Sequence, residues 1–170
     1  MRVLNQLLAS SLVAAALFGV VSTAQAATLE VTWQDVENYR DIRATNENQA
    51  RFQEKVTSGL AEHLTELAAQ LPADHVLRIT VTDLDLAGRV EPMFSDTFQT
   101  TRVLNRIDYP MIEFSYEYLD GSGAVLKSAE ERIKDMGQLE SRRTLMASGR
   151  DQLFHEKRLL DQWFEDTFPG

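Results

Sequence analysis

The chain contains no cysteine among its 170 residues. This absence excludes disulfide bonds, thiol catalysis and zinc–thiolate sites. It also removes the lipid-accepting cysteine that a bacterial lipoprotein carries directly after its signal peptide. We therefore expect neither a disulfide-stabilised fold nor a lipoprotein.

Several catalytic sequence patterns are also missing. The serines form no G-x-S-x-G or S-x-x-K pattern, and no glycine-rich loop is present that could bind a phosphate. The three histidines, His63, His75 and His155, include no i, i+4 pair of the zinc-helix type, and we expect them at the rim of the apolar core. The sequence therefore predicts no catalytic residue, no resident metal and no cofactor.

Basic residues are scarce relative to acidic ones. Lys and Arg number 17 against 26 Asp and Glu, which gives a formal net charge of −9. Nucleic acids and anionic lipid surfaces attract basic patches, so an acidic chain of this kind is a poor ligand for both. We expect no nucleic-acid partner.

The first 26 residues have the pattern of a secretory signal peptide. Arg2 precedes an uncharged apolar run of 15 residues, Leu7 to Val21, and Ala24-Gln25-Ala26 provides small residues at a signal peptidase site. A run of that length is shorter than the roughly 20 residues that a membrane-spanning helix needs. We expect cleavage after Ala26, a periplasmic location and no transmembrane span in the product, residues 27–170, which suits a single domain.

Periodicity predicts the first elements of that domain. Leu29, Val31 and Trp33 alternate with polar residues, as in a half-buried strand. From Gln49 to Leu71 the apolar residues recur at helical spacing, with Asn46 or Asn48 as N-cap and Pro72 as the end.

The second predicted strand, His75 to Ala87, raises a question of phase. Leu77, Ile79 and Val81 share one face, and in a straight strand Asp83 and Asp85 would share it too, which would bury two carboxylates at a cost of roughly several kcal/mol each. A β-bulge or bend near Thr82 and Asp83 would reverse the faces and return Leu84 and Leu86 to the core. We therefore predict a bulge or bend at this position.

The remaining elements complete the fold prediction. A short edge strand is expected at 101–103, and a hairpin is expected from Ile112 onwards with its turn at 120–123. A short helix is predicted at 138–147, and a capping box of Ser148 and Asp151 would start a final amphipathic helix. The predicted class is α+β, with one mostly antiparallel or mixed sheet of four to five strands and two amphipathic helices packed on one face.

Two groups of polar residues are candidates for a site. The acids Asp83, Asp85, Glu91 and Asp96 could gather a hard cation, but their spacing does not match an EF-hand loop, and turn-forming, solvated or arginine-paired roles are favoured. The loop after the first strand is the second candidate, although a loop folded over the end of the sheet, with Arg43 paired to an acid, is favoured there. The predicted binding surface combines the two regions and consists of Asp35, Tyr39, Asp41, Arg43, Asp83, Asp85, Arg89 and Glu91.

Several short motifs occur together in the chain. The most specific are Thr82-Asp83-Leu84-Asp85-Leu86-Ala87-Gly88 and the closing segment from Glu156 to Phe164 with its Trp163-Phe164 pair. The others are Trp33-x-Asp35, Tyr39-x-Asp41-x-Arg43, Leu71-Pro72, Pro110, Phe114-x-Tyr116 and Asp135-Met136. Together these motifs resemble the domain of unknown function family 3016 of exported Gram-negative proteins. Val36 stands where the family often has proline. The resemblance implies a periplasmic location and one small domain, and it implies no activity.

Three functions remain open at this point. The first is a non-enzymatic module that binds a periplasmic protein or an envelope component through the loop face near residues 35–43 and 88–94. The second is a hydrolase or metal-dependent enzyme that uses Asp83, Asp85 and Glu91 as acid, base or ligand. The third is a structural subunit of an envelope assembly, which would present an exposed sheet edge or apolar patch.

Overall fold

The computed structural model describes residues 26–93, 99–105, 107–135 and 151–169. The strands are β1 (Thr28–Trp33), β2 (Val76–Asp85), β3 (Arg89–Pro92), β4 (Thr100–Val103), β5 (Met111–Leu119) and β6 (Val125–Lys134), and the helices are α1 (Gln49–Ala68) and α2 (Phe154–Thr167). A single 3₁₀ turn, Val36–Asn38, lies between β1 and α1. The predicted signal peptide up to residue 25, the helix expected at 138–147, Asp96 and Ser148 lie outside the described residues.

A four-stranded mixed sheet in the order β1-β2-β5-β6 forms the centre of the molecule. β1 runs parallel to β2 and is joined to it through α1, whereas the β2–β5 and β5–β6 pairs are antiparallel. The predicted α+β class with a mixed sheet is therefore confirmed. The short strand expected at 101–103 exists as β4, but it pairs with β3 in a separate two-stranded sheet.

Both helices pack on one face of the main sheet and bury the core there. α1 contributes a stripe at helical spacing, and Trp163 of α2 meets the rings of Phe114 and Tyr116 edge to face with centroids 4.9 and 5.3 Å apart. The buried residues of α1 are Phe52, Val56, Leu60, Leu64, Leu67 and Ala68. No helix in the described part of the chain is both long and apolar enough to cross a membrane.

The helix starts show one prediction confirmed and one that was wrong. The side chain of Asn48 accepts a hydrogen bond from the Arg51 amide and caps α1, as predicted. α2 begins only at Phe154, so Asp151 precedes the helix instead of lying inside its first turn. Its Oδ1 atom accepts from the amide of Leu153 at 2.9 Å, and the predicted capping box is therefore incorrect.

The bulge predicted in the second strand is present. Val81 pairs with Phe114 and Asp83 pairs with Glu113, so Thr82 is an extra residue in the ladder. Two residues of β2 therefore face one residue of β5, and the side chains beyond the bulge change faces. Leu84 and Leu86 are buried as a result.

The turn between β5 and β6 also follows the prediction. The Asp120 side chain accepts hydrogen bonds from the amides of Ser122 and Ala124 at 2.9 and 3.0 Å. A short polar side chain of this kind stabilises a tight turn by bonding to the backbone that follows it.

The connection between β2 and β3 requires a glycine. Gly88 has φ +77°, and a Cβ atom at this position would lie 2.4 Å from the carbonyl oxygen of Val103. Gly123, in the β5–β6 turn, has a similar φ of +83° with no atom within 4 Å of its Cβ position. A substitution at Gly123 would therefore cause backbone strain alone, whereas one at Gly88 would cause both strain and a steric clash.

We expect Gly88→Ala to lower the free energy of unfolding by about 2 to 4 kcal/mol, because strain and a backbone clash add at this site. Gly123→Ala should lose only about 1 kcal/mol, the approximate cost of a left-handed conformation alone. Urea unfolding of both variants measures the difference. Equal losses at the two positions would show that the approach of Val103 contributes nothing.

Candidate functional site

The loop after β1 returns to the edge of β2. The Gln34 amide still donates to the carbonyl of Val81, and after the 3₁₀ turn the chain resumes beside β2 in a parallel bridge between Asp41 and Asp85. In this bridge the Asp41 amide donates to the carbonyl of Leu84 at 3.1 Å. The structure thus brings together the two sequence regions that carried the candidate site.

Three carboxylates and two guanidinium groups meet at this bridge. Arg102 donates to both carboxylate oxygens of Asp41, at 2.9 and 3.3 Å. The guanidinium of Arg40 lies 3.2 Å from Asp83 Oδ2, and the Arg40 amide donates to the other oxygen at 2.7 Å. We refer to Asp41, Asp83, Asp85, Arg40 and Arg102 as the aspartate cluster.

Asp85 differs from the other two aspartates of the cluster. Burial raises the pKa of Asp85, and the Asp41 and Asp83 carboxylates raise it further, while the charges of Arg40 and Arg102 oppose the shift. Asp41 and Asp83 each have an arginine within ion-pair distance. Asp85 therefore holds its proton more readily than an ordinary aspartate does.

Arg102 also fixes the β3–β4 hairpin to the body of the protein. Its guanidinium donates to the carbonyl of Gly88 at 3.0 Å and to that of Arg43 at 3.1 Å, in addition to Asp41. At the start of β4, the backbone of Thr100 exchanges two hydrogen bonds with the side chain of Asn46. These contacts give the hairpin a fixed position beside the aspartate cluster.

The eight predicted surface residues occupy four different environments. Asp41, Asp83 and Asp85 converge in the cluster, whereas Arg89 and Glu91 pair with each other on β3 at 2.6 Å. Asp35 and Arg43 are exposed. The predicted binding surface as a whole stays a prediction.

Tyr39 lies inside the protein. Its side chain is buried, and its hydroxyl donates to the carbonyl of Val81 at 2.9 Å. Burial raises the pKa of Tyr39 to about 12. The phenol therefore anchors the loop to β2 instead of lining a surface.

The four acids considered for a cation do not form one described group. Glu91 is on the two-stranded sheet, paired with Arg89, whereas Asp83 and Asp85 are on β2. Within the ranges that the structure covers, no group of three or more His, Asp or Glu side chains is arranged to hold a metal ion.

Glu156 is a buried acid that the sequence reasoning missed. Its side chain on α2 is 1% exposed, and Oε1 accepts a hydrogen bond from the Ala87 amide at 2.7 Å. Oε2 has no hydrogen-bond partner among the described residues. The missed signal was its helical phase, since Glu156 lies on the stripe of Leu153, Leu160 and Trp163.

Burial raises the pKa of Glu156 to about 7, although the Ala87 amide and the charge of Arg102 oppose the shift. The carboxyl is therefore half protonated near neutral pH in the folded protein. Ala87 and Gly88 lie in the connection between β2 and β3, from which the hairpin leaves the main sheet. Glu156 therefore contacts this connection through the Ala87 amide.

The histidines differ from their predicted rim positions in one case. His155 is buried, which contradicts the prediction, and burial lowers its pKa. His63 lies between the helices and contacts Asp161 of α2 at 2.6 Å. His75 hydrogen-bonds to the Tyr118 hydroxyl at 2.5 Å. None of the three joins the aspartate cluster through a contact in the described structure.

The raised pKa of Glu156 gives a stability that falls with pH. Between the ordinary glutamate pKa of 4.5 and the folded-state value of about 7, the folded protein holds a proton that the unfolded chain has released. Stability from this group is full below the lower value and is lost as pH rises to the upper one, by roughly 3 kcal/mol in total.

We expect Glu156→Gln to remove this part of the pH dependence and to raise the melting temperature at pH 8, because the amide carries no charge and can still accept from Ala87. Thermal unfolding from pH 4.5 to 8 measures the effect. Glu62→Gln, on the exposed side of α1, is the matched control. A wild-type slope that survives in Glu156→Gln would contradict the assignment.

Comparison with known proteins gives one match. Residues 27–166 match the model of a family described as "Protein of unknown function (DUF3016)". No curated protein and no solved structure matches the chain. Because the match covers most of the sequence, including both β2 with its bulge and α2 with Glu156, the chain belongs to the DUF3016 family.

Proposed function

We propose that the protein is a non-enzymatic binding module of the periplasm and that it binds a protein partner through its β3–β4 hairpin. The contact would be made by four apolar side chains on or directly after the hairpin, which we call the hairpin surface: Met93, Val103, Leu104 and Ile107. The partner would present an apolar patch of its own.

The observation that carries the proposal is the exposure of these side chains. Of the six large hydrophobic residues that are exposed in the described structure, four belong to the hairpin surface, and Ile107 is 71% exposed. Single exposed apolar residues are ordinary, but their concentration on one element is typical of protein–protein contact sites.

The strand register determines which side of the hairpin is available. Arg89 pairs with Val103 and Glu91 with Thr101, so these four residues share one face. The other face carries Arg102 and Thr100, whose side chains bond to the body of the protein. The outer face therefore offers Val103 beside the Arg89–Glu91 ion pair, an apolar centre with charged neighbours.

The hairpin is also held in place before a partner arrives. The single side chain of Arg102 on β4 donates hydrogen bonds to the Asp41 carboxylate and to the backbone carbonyls of Arg43 and Gly88. A surface that is already ordered loses less conformational entropy on binding than a free loop does. The aspartate cluster thus fixes the position of the β3–β4 hairpin.

The same cluster is poorly arranged for hydrolysis. Asp41 and Asp83 are engaged by arginines, and Glu91 pairs with Arg89 on the other sheet. The raised pKa of Asp85 favours acid–base chemistry, but general acid–base hydrolysis needs a second carboxyl near the same substrate. Binding is therefore the better-supported function of the two.

Export supports the proposed location. The signal pattern of residues 1–26 predicts a mature chain that begins at Ala27, which is also where the family match begins. Intact mass measurement on protein from a periplasmic fraction tests this part separately. A mass that includes residues 1–26 would contradict it.

To test the binding function, we would place a photo-crosslinking amino acid at Ile107 in cells and identify the captured protein by mass spectrometry. The purified partner would then be titrated against wild type and a Leu104→Ser, Ile107→Ser variant. We expect affinity to fall at least about tenfold, because two apolar contacts are lost.

Leu126→Ser is the matched control, since Leu126 is exposed and apolar but lies on β6. It should bind the partner as the wild type does. Absence of any crosslinked protein at Ile107, or equal affinity of the hairpin variant and the control, would overturn the proposal.

A further inference from the structure

β6 is the edge of the main sheet as far as the structure describes the chain. It is the last strand in the order β1-β2-β5-β6, and β5 is its only strand partner among the described residues. Residues 125–130 are all exposed, including the apolar Val125 and Leu126. An exposed strand of ten residues can template another strand, and proteins normally carry features that control this.

The hydrogen bonds to β5 determine which backbone groups of β6 are free. The Asp135 amide donates to the carbonyl of Pro110, directly after the pair Lys134–Met111. Antiparallel ladders alternate between bonded and non-bonded pairs, so Ile133, Glu131, Ala129 and Lys127 also direct their backbone groups toward β5. Ser128, Glu130 and Arg132 therefore direct theirs toward the open edge.

This alternation restricts how a second β6 strand could pair antiparallel to the first. Outward-directed residues must face outward-directed residues, so a two-fold axis must pass through a residue and not between two residues. An axis at Glu130 or at Glu131 would place that glutamate opposite its own copy. Like charges directly opposite each other destabilise a strand pair.

An axis at Ala129 satisfies both backbone and side chains. Lys127 then faces the copy's Glu131 twice, and the small Ala129 lies at the centre. The ladder with β5 shifts register between Lys127 and Val125, so the regular part of β6 that carries this pairing begins at Lys127. Ser128 faces Glu130, and no like charges are opposed. An axis at Ser128 would leave Lys127 facing Ala129, without any ion pair. Charge complementarity therefore selects the Ala129 register.

Lys127 and Glu131 lie on the same side of the sheet, as an ion pair between the two copies requires. Glu131 pairs in register with Phe114 and Lys127 with Tyr118, so both charged residues belong to the helix-covered face. Lys127 Nζ donates to the carbonyl of Thr167 at the end of α2, 2.8 Å away. The ammonium is thus already on the face where the copy's carboxylate would lie.

We propose that a second copy of this chain pairs with β6 in antiparallel orientation about Ala129, forming a continuous eight-stranded sheet with all four helices on one face. Like charges disfavour the registers centred on Glu130 and Glu131, which limits the ways in which the edge can pair. The hairpin surface takes no part in this contact, so the inference does not depend on the proposed function.

The first test uses charge reversal. Sedimentation velocity of the purified protein, at concentrations up to roughly 1 mM, should show a monomer–dimer equilibrium. Lys127→Glu and Glu131→Lys should each weaken the dimer roughly tenfold or more, because each places like charges opposite each other twice. The double variant Lys127→Glu, Glu131→Lys should restore it.

Lys134→Glu is the matched control, since it makes the same charge change on the same strand at a residue outside the paired stretch 127–131. It should leave dimerisation within about threefold of wild type. Thermal unfolding of every variant verifies that the fold is intact. A wild type that stays monomeric, or single variants that dimerise as the wild type does, would overturn the proposal.

The second test uses the absence of native cysteine. In the proposed register the two copies of residue 129 form a non-hydrogen-bonded pair with Cα atoms about 4.5 Å apart, which suits a disulfide. Ala129→Cys should therefore give an oxidised dimer on a non-reducing gel. Ser128→Cys and Glu130→Cys should stay monomeric. Crosslinking that is strongest at 128 or 130 would contradict the register, and none at any position would contradict the contact.

Discussion

The β-bulge at Thr82 and Asp83 is the constraint on which the rest of the structure depends. Before it, β2 turns Leu77, Ile79 and Val81 into the core, and after it Leu84 and Leu86 take over that role. Without the extra residue, two carboxylates would be buried beneath the helices at a cost of several kcal/mol. With it, they reach the opposite face, where Arg40 from the loop after β1 pairs with Asp83.

The connection between β2 and β3, which follows the bulge, is fixed by hydrogen bonds from two different parts of the protein. On one side Arg102 binds the Gly88 carbonyl and Asp41, and on the other the buried Glu156 accepts from the Ala87 amide. Two residues of the chain, Ala87 and Gly88, thus connect the main sheet, α2 and the hairpin. The position of the hairpin surface follows from these few polar contacts, because β3 and β4 contribute little buried apolar area of their own.

Local periodicity was sufficient to predict much of the fold. The alternation in β1, the helical stripe of α1, the turn at Asp120 and the phase change at Asp83 were all readable, because each depends on neighbours in sequence. The separate β3–β4 sheet, the inward Tyr39 and the Arg102–Asp41 pair were not, because they depend on contacts between residues far apart in the chain. Glu156 is intermediate, since its position on the α2 stripe marked it as buried although its contact with Ala87 could not be inferred.

The most direct test of this account is amide hydrogen exchange in Asp41→Ala, with Asp166→Ala on the exposed side of α2 as control. If the contacts of the aspartate cluster fix the position of the hairpin, amide exchange in β3 and β4 should accelerate in Asp41→Ala, while the amides between β2 and β5 keep their protection. Unchanged exchange in the hairpin, or equal acceleration throughout the main sheet, would contradict the account.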